Sequence, residues 1–156
     1  MKVLVLGVGN LLLSDEGLGV RAVEELKKRY SFPEGVELMD GGTLGIDLLY
    51  FMEGVEKLLI IDAILGGKPH GSLYKFKGDE ALVYFKGKKL SAHDIGILEV
   101  LALAELTEKL PKEVVVLGME PESLEISLEL SPSIKKNFNR LLEEVIEQLK
   151  EWGIKV

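Results

Sequence analysis

The amino-terminal segment Val3–Val8 most strongly constrains what this chain can fold into, because it is an almost wholly apolar run. A strand with one face in water alternates apolar and polar residues, whereas a strand buried on both faces does not. Residues 57–62 repeat the pattern, with Leu-Leu-Ile-Ile ahead of an aspartate. Two such strands predict a sheet that is covered by helices on both faces.

Three further strands and four helices are predicted around these two. The strands are residues 36–40, 72–77 and 114–117. The four helices are expected to begin at four cap signals. These are Ser14 or Asp15 as an N-cap, Thr43 as an N-cap, the capping box Ser91–Asp94, and Ser131 as an N-cap followed by Pro132. Only residues 63–71 join the third and fourth strands, too few for a helical crossover, so the fourth strand is expected to run antiparallel. The alternation predicts one three-layer α/β/α domain over residues 1–156.

Composition excludes several classes of function. The chain has no cysteine, so disulfides, thiolate metal sites and a cysteine nucleophile are all excluded. Its 26 acidic and 19 basic residues leave a net charge of −7, which argues against a nucleic-acid partner. No apolar run approaches the roughly 18 residues that a membrane helix needs, and no signal cleavage site follows the first strand, so we expect a cytoplasmic protein without membrane insertion.

Polar residues follow the predicted strands at the points where these strands end. Ligands of open α/β sheets bind beyond the carboxyl ends of the strands, so these residues are the candidates for a site. They are Asn10, Asp15 and Glu16 after the first strand, Asp40 after the second, Asp62 after the third and Glu120 after the fifth, with His93 at a helix start. One histidine with several carboxylates could bind a metal ion, and the carboxylates could equally act as acid or base groups toward water.

Each candidate also has a structural interpretation. Asp40 precedes two glycines and could belong to a turn, and Asp15 and Glu16 could be first-turn acids that complement a helix dipole. A lone histidine such as His93 is more often structural, although a helix N-terminus keeps the ring neutral and able to bind a metal. Asp62 ends an apolar strand, so we expect it to be half-buried and to need a partner or a cation.

Two further segments have simple expectations. His70 stands in a loop rich in glycine and proline and is expected to be exposed. Residues 11–13, three consecutive leucines, are either core or an exposed apolar lip for a partner peptide, and core is the expectation we adopt.

A dinucleotide-binding domain is the main competing interpretation. Gly7 and Gly9 follow the first strand and Asp40 ends the second, as in that class of fold. However, Leu12 stands where a third small residue belongs, and the acids at 15 and 16 would repel a pyrophosphate. The Walker A loop and the Gly-x-Ser-x-Gly elbow are both absent from the sequence.

Five segments, taken in order, resemble the motifs of the hydrogenase maturation endopeptidases. They are residues 7–20, 40–43 (Asp-Gly-Gly-Thr), 62–63, 91–96 (Ser-Ala-His-Asp-Ile-Gly) and 118–125. The resemblance implies a twisted five-stranded mixed sheet between helix layers. It also implies an endopeptidase that removes the C-terminal extension from the large-subunit precursor of a nickel–iron hydrogenase once nickel has been inserted.

The same resemblance implies roles for particular residues. Glu16, Asp62 and His93 fall on the nickel-sensing positions, and the nickel belongs to the substrate, so no permanently bound cofactor is expected. Asp40 lies in the Asp-Gly-Gly-Thr motif, which is close to the site in the family. Glu120 departs from the family pattern, which commonly has an uncharged residue at that position. Some classify the family with the aspartic-type peptidases. We expect a water nucleophile with Asp40 or Asp62 as its base. A non-catalytic, metal-sensing docking module remains the alternative.

Overall fold

The computed structural model describes residues 1–42, 47–81, 83 and 101–156. The strands are β1 Val3–Val8, β2 Val36–Gly42, β3 Lys57–Ala63, β4 Leu73–Lys77 and β5 Glu113–Met119. The helices whose two ends are both described are α1 Leu18–Arg29, α2 Leu48–Phe51 and α3 Pro132–Glu151. A short 3-10 helix covers Ser14–Gly17, and residues 101–106 are helical as well.

The five strands form one mixed sheet in the order β2-β1-β3-β5-β4. β2, β1, β3 and β5 run parallel, and β4 pairs antiparallel with β5. The predicted direction of β4 is therefore confirmed. Its neighbour is β5 rather than β3, so the short connection from β3 to β4 passes over the end of β5.

Side chains of the central strands alternate between two hydrophobic cores, one on each face of the sheet. On one face, Val3 and Val5 of β1 pack with α1 and α3. On the other face, Leu4 and Leu6 pack with α2 and with the helical residues Leu101 and Ala104. This arrangement confirms the three-layer prediction and explains why β1 needs apolar residues at successive positions.

The helix termini agree only in part with the predicted caps. Ser131 is the N-cap of α3 and Pro132 its first residue, as expected. α1 begins instead after Gly17, and no side chain caps it, so the expectation that Ser14 or Asp15 caps this helix is wrong. Both residues lie in the 3-10 helix that precedes α1, where they make other contacts. Within the described part of the chain, no helix combines the length and apolar character needed to cross a bilayer.

Glycines let α1 lie directly on the sheet beside the end of β1. A Cβ atom at Gly19 of α1 would overlap the carbonyl oxygen of Ile61 and lie 2.6 Å from that of Val8. A Cβ atom at Gly7 would in turn overlap the carbonyl oxygen of Gly19. Backbone atoms, unlike the end of a flexible side chain, cannot move aside cheaply. The pair Gly7–Gly19 therefore sets how close the loop before α1 lies to the strand ends.

We predict that Gly19→Ala lowers the free energy of unfolding by about 3 kcal/mol, because the added methyl group would push α1 away from β1 and β3. The measurement is urea denaturation at pH 7. Gly54→Ala is the control, since Gly54 has a φ of 76° with no atom near its Cβ position, and backbone strain alone should cost about 1 kcal/mol. An equal loss in both variants would contradict the packing argument.

Candidate functional site

The parallel strands bring their carboxyl ends to one edge of the sheet, as the sequence predicts. Asp40 of β2 is level with Gly7 of β1, which is level with Ile61 of β3. Asp62 follows Ile61 and is level with Gly118 of β5. The backbones of Asp40 and Asp62 are thus two strand spacings apart, about 10 Å. The edge carries both of the carboxylates predicted to act on water.

Asp62 is the more deeply placed of the two. Its exposed fraction is 0%, so it is more buried than the half-buried position expected from sequence. A Cβ atom at Gly118 would overlap the carbonyl oxygen of Asp62, so the neighbouring strand needs glycine at this level. Burying a carboxylate at the end of a central strand is costly, so Asp62 is a candidate for a functional role.

The 3-10 helix brings Glu16 to the same edge. This helix contacts β3, the strand that ends in Asp62. Gly9 makes the approach possible, since its φ is 129° and a Cβ there would overlap the carbonyl oxygen of Glu16. Glu16 itself is partly exposed. The structure therefore places two of the three predicted nickel-sensing residues on adjoining elements.

Asp40 is exposed and faces away from Asp62 across the sheet. Leu38, two residues earlier in β2, packs in the core formed with α1 and α3, whereas Ile60, two residues before Asp62, packs in the core on the other face. Side chains two residues apart share a face, so Asp40 and Asp62 belong to opposite faces. This alternation is unfavourable for a pair of carboxylates that share one proton, which need about 3 Å between them.

Two predicted features lie outside the described residues. They are His93, with the Ser91–Asp94 capping box around it, and Thr43. Over residues 1–42, 47–81, 83 and 101–156, no three histidine, aspartate or glutamate side chains form a group that could hold a metal ion. The predicted set of Glu16, Asp62 and His93 contains one residue beyond that part of the chain.

Asp15 has a structural role that sequence reasoning missed. Its carboxylate is fully buried and accepts four hydrogen bonds, from the backbone N–H groups of Glu122, Ser123 and Ser131 at 2.8–3.0 Å and from the Ser131 hydroxyl at 2.7 Å. Asp15 is neither a first-turn acid of α1 nor an open ligand. It ties the loop that carries Glu16 to the segment between β5 and α3.

Glu120 is likewise a structural anchor, which agrees with its departure from the family pattern. Its Oε1 accepts hydrogen bonds from the backbone N–H groups of Gly66 and Lys68 at 3.0 and 3.1 Å, and from the Tyr74 hydroxyl at 2.5 Å. These groups belong to β4 and to the connection that crosses over the end of β5. Burial and the hydrogen bond to Glu120 raise the pKa of the Tyr74 phenol above its usual value.

The structure also tests the expectations for three other residues. Asn10 accepts a hydrogen bond from the backbone N–H of Leu12 at 2.9 Å, which is the geometry of a turn. His70 is exposed, as expected. Leu12 is 59% exposed, so the expectation that this leucine belongs to the core is wrong. Leu12 lies on a loop held by hydrogen bonds to residues far along the chain, which local sequence could not reveal.

Gly7 and Gly9, at the end of β1, serve packing and leave little room for a dinucleotide. The space beside Gly7 is filled by the backbone of Gly19, and the space beside Gly9 by the backbone of Glu16. A phosphate-binding loop needs such space for the ligand. The dinucleotide interpretation therefore loses two of the three residues that suggested it.

We predict that Asp15→Asn lowers the free energy of unfolding by about 2–4 kcal/mol, because an amide removes the charge that four donors face and adds donors of its own. Urea denaturation at pH 7 measures the loss. Asp47→Asn is the matched control, since Asp47 is exposed and makes no side-chain capping bond, and its change should stay within about 0.5 kcal/mol. A small effect in both variants would refute the anchoring role of Asp15.

We predict that Tyr74→Phe lowers the free energy of unfolding by about 1–2 kcal/mol at pH 7, because it removes the hydroxyl donor to buried Glu120. Since the pKa of Tyr74 is raised on folding, its stabilising contribution is complete below the unfolded pKa near 10 and is lost as pH rises through the folded pKa. The difference between wild type and variant should therefore shrink above pH 10. The control is Tyr50→Phe at an exposed tyrosine, which should change neither the free energy of unfolding at pH 7 nor its dependence on pH above 10.

Comparison with known proteins finds similarity to one family over most of the chain. The family model described as "Hydrogenase maturation protease" matches residues 20–148. The chain is 40% identical over 154 residues to the hydrogenase 2 maturation protease of Escherichia coli, with 99% of this chain and 94% of that protein covered. It is 42% identical to the hydrogenase expression/formation protein HoxM of Cupriavidus necator, with 97% and 75% covered.

Solved structures agree with the fold. The hydrogenase maturating endopeptidase HybD from Escherichia coli superposes with a TM-score of 0.95 at 40% identity, with 99% of this chain and 96% of that chain covered. The [NiFe] hydrogenase maturation protease HybD from Thermococcus kodakarensis superposes with a TM-score of 0.79 at 30% identity, with 95% and 99% covered. On the sheet topology, the family model and these relatives together, the chain belongs to the hydrogenase maturation proteases, a family of peptidases.

Proposed function

We propose that this chain is an endopeptidase that removes the C-terminal extension from the nickel-loaded large-subunit precursor of a nickel–iron hydrogenase. The observation that carries the proposal is the placement of Asp62 and Glu16. One is fully buried at the end of β3, and the other lies on a 3-10 helix that contacts β3. The names of the similar proteins support the class of substrate.

Glu16, Asp62 and His93 act as the grip on the nickel ion of the substrate. Two carboxylates and one imidazole form a ligand set that suits a borderline divalent cation. A precursor that lacks nickel could not bind to these three side chains through a metal ion, so its tail would not be positioned for cleavage. Because positioning alone can contribute several kcal/mol to catalysis, nickel would then act as the signal that allows processing.

The bond is broken by water that a carboxylate activates. The base takes a proton from water while the oxygen attacks the carbonyl carbon of the scissile peptide. The tetrahedral intermediate then collapses, the C–N bond breaks, and the released amine receives a proton. The products are a new carboxylate on the large subunit and a free tail peptide.

Asp40 is the residue we assign as this base. It is exposed to water, and its side chain belongs to the face of the sheet opposite that of Asp62. The separation supports a division of labour in which Asp62 helps to hold nickel and Asp40 acts on water. A single base with a separate grip differs from the shared-proton pair of aspartic-type peptidases.

We predict that the purified wild-type protein shortens the nickel-loaded precursor and leaves the nickel-free precursor intact, as measured by the mass of the product. Asp62→Asn, Glu16→Gln and His93→Ala should each weaken binding of the nickel-loaded precursor and slow its cleavage. Asp40→Asn should keep that binding and lower kcat by about 10²- to 10⁴-fold, the usual contribution of a general base.

Asp79→Asn is the control, because Asp79 is exposed and follows β4, whose antiparallel direction puts its end at the opposite edge of the sheet. It should cleave at the wild-type rate. Nickel-dependent binding without any loss of mass would replace the peptidase with a docking module. A wild-type rate in Asp40→Asn would remove Asp40 as the base.

A further inference from the structure

Four large apolar side chains are exposed beside the candidate site. Leu12, Leu124, Ile126 and Leu128 are 59%, 42%, 89% and 63% exposed, and we call this set the apolar ridge. Single exposed apolar residues are ordinary on protein surfaces, but contiguous ones mark interaction sites. The question is whether these four belong to one surface.

Backbone pairing aligns the two segments that carry the ridge. Leu13 and Ser127 form a parallel bridge, in which Ser127 N–H donates to the Leu12 carbonyl and Ser14 N–H donates to the Ser127 carbonyl, both at 2.9 Å. In a parallel pair, Leu12 therefore stands beside Ile126, with both side chains on the same face. Leu124 and Leu128 lie two residues before and after Ile126.

The ridge is held rigid although it lies outside the sheet. The Asp15 carboxylate binds the backbone at Glu122, Ser123 and Ser131. The Ser14 hydroxyl donates to the Glu129 carbonyl at 2.8 Å, and the Arg21 guanidinium donates to the Leu128 carbonyl at 2.6 Å. Such anchoring prevents the apolar side chains from collapsing onto the core and lowers the entropy lost when they bind a partner.

The ridge is also continuous with the edge that carries the site. Leu12 precedes Glu16 by four residues on the same loop, and residues 124–128 follow the end of β5. A partner seated on the ridge would therefore lie beside the loop that carries Glu16.

The charges around the ridge are acidic. Glu122, Glu125 and Glu129 are exposed and lie before, between and after the apolar positions of the segment 124–128. Hydrogen bonds from Ser133 lower the pKa of Glu122, so it is ionised at neutral pH. Two cations of the described residues, Arg21 and Lys135, are already engaged: Arg21 donates to the Leu128 carbonyl and lies 3.7 Å from Glu24, and Lys135 lies 4.0 Å from Glu129. A second copy of this chain, with a net charge of −7, would bring a like-charged rim against this one.

We propose that the apolar ridge docks the large-subunit precursor through an apolar surface of that protein bounded by lysine or arginine, separately from the grip on nickel. The proposal rests on the proposed function and assigns the ridge to affinity for the polypeptide. The ridge lies outside the residues that act on the scissile bond, so it should contribute to KM and leave kcat unchanged.

The test is the double variant Ile126→Ala/Leu128→Ala, assayed with purified nickel-loaded precursor. We expect KM to rise at least about tenfold and kcat to stay within about twofold, since two truncated apolar contacts would be lost from the bound state. Both side chains are exposed, so the thermal midpoint should not change. Leu106→Ala is the control, because Leu106 is 80% exposed and lies ahead of β5, at the opposite edge of the sheet.

Charge reversal gives an independent check. Glu125→Lys should weaken precursor binding in low salt, and the loss should diminish as salt is added. An unchanged KM in the double variant would overturn the ridge proposal. So would sedimentation that shows a dimer of the wild type and a monomer of the double variant, because the ridge would then be an interface between two copies of this chain. If the wild type binds the precursor without cleaving it, the proposed function is wrong. The ridge proposal is then tested by binding alone: it is supported if the double variant binds the precursor more weakly, and it is wrong if binding is unchanged.

Discussion

The buried carboxylate of Asp15 is the interaction on which the arrangement of the functional edge depends. Four hydrogen bonds converge on it from the segment that follows β5 and from the start of α3. The next residue in the chain is Glu16, a predicted ligand of the substrate's nickel. One buried carboxylate thus holds the site loop, the apolar ridge and α3 in a single arrangement, and it takes no part in the proposed chemistry.

The sheet supplies the second constraint, because its alternation separates groups that sequence reasoning had brought together. Asp40 and Asp62 both end strands at one edge, yet the strand period of two assigns them to opposite faces. A peptidase with such an edge can hold one part of its substrate with one carboxylate and activate water with another. Specificity for a loaded metal centre and cleavage of a peptide bond then need not compete for the same residue.

Much of the fold was predictable because the signals were local. The apolar run Val3–Val8 predicted burial on both faces, and the nine residues before β4 predicted its direction. The N-cap of α1 was assigned wrongly because Ser14 and Asp15 have suitable side chains for that role, and only distant partners at Glu129 and Ser131 draw them away. The exposure of Leu12 escaped prediction for the same reason, since its neighbour in space is Ile126.

The sequence by itself determined the alternating strands and helices, the parallel edge and the residue types that end each strand, because these follow from hydrophobic period and connection length. The ordered motifs were also sufficient to identify the family. Only the tertiary structure decided which acidic residues are structural, since Asp15, Glu120 and Asp62 look alike in the chain. Their roles depend on which donors the fold brings to each carboxylate, and those donors lie 46 to 116 residues away for Asp15 and Glu120.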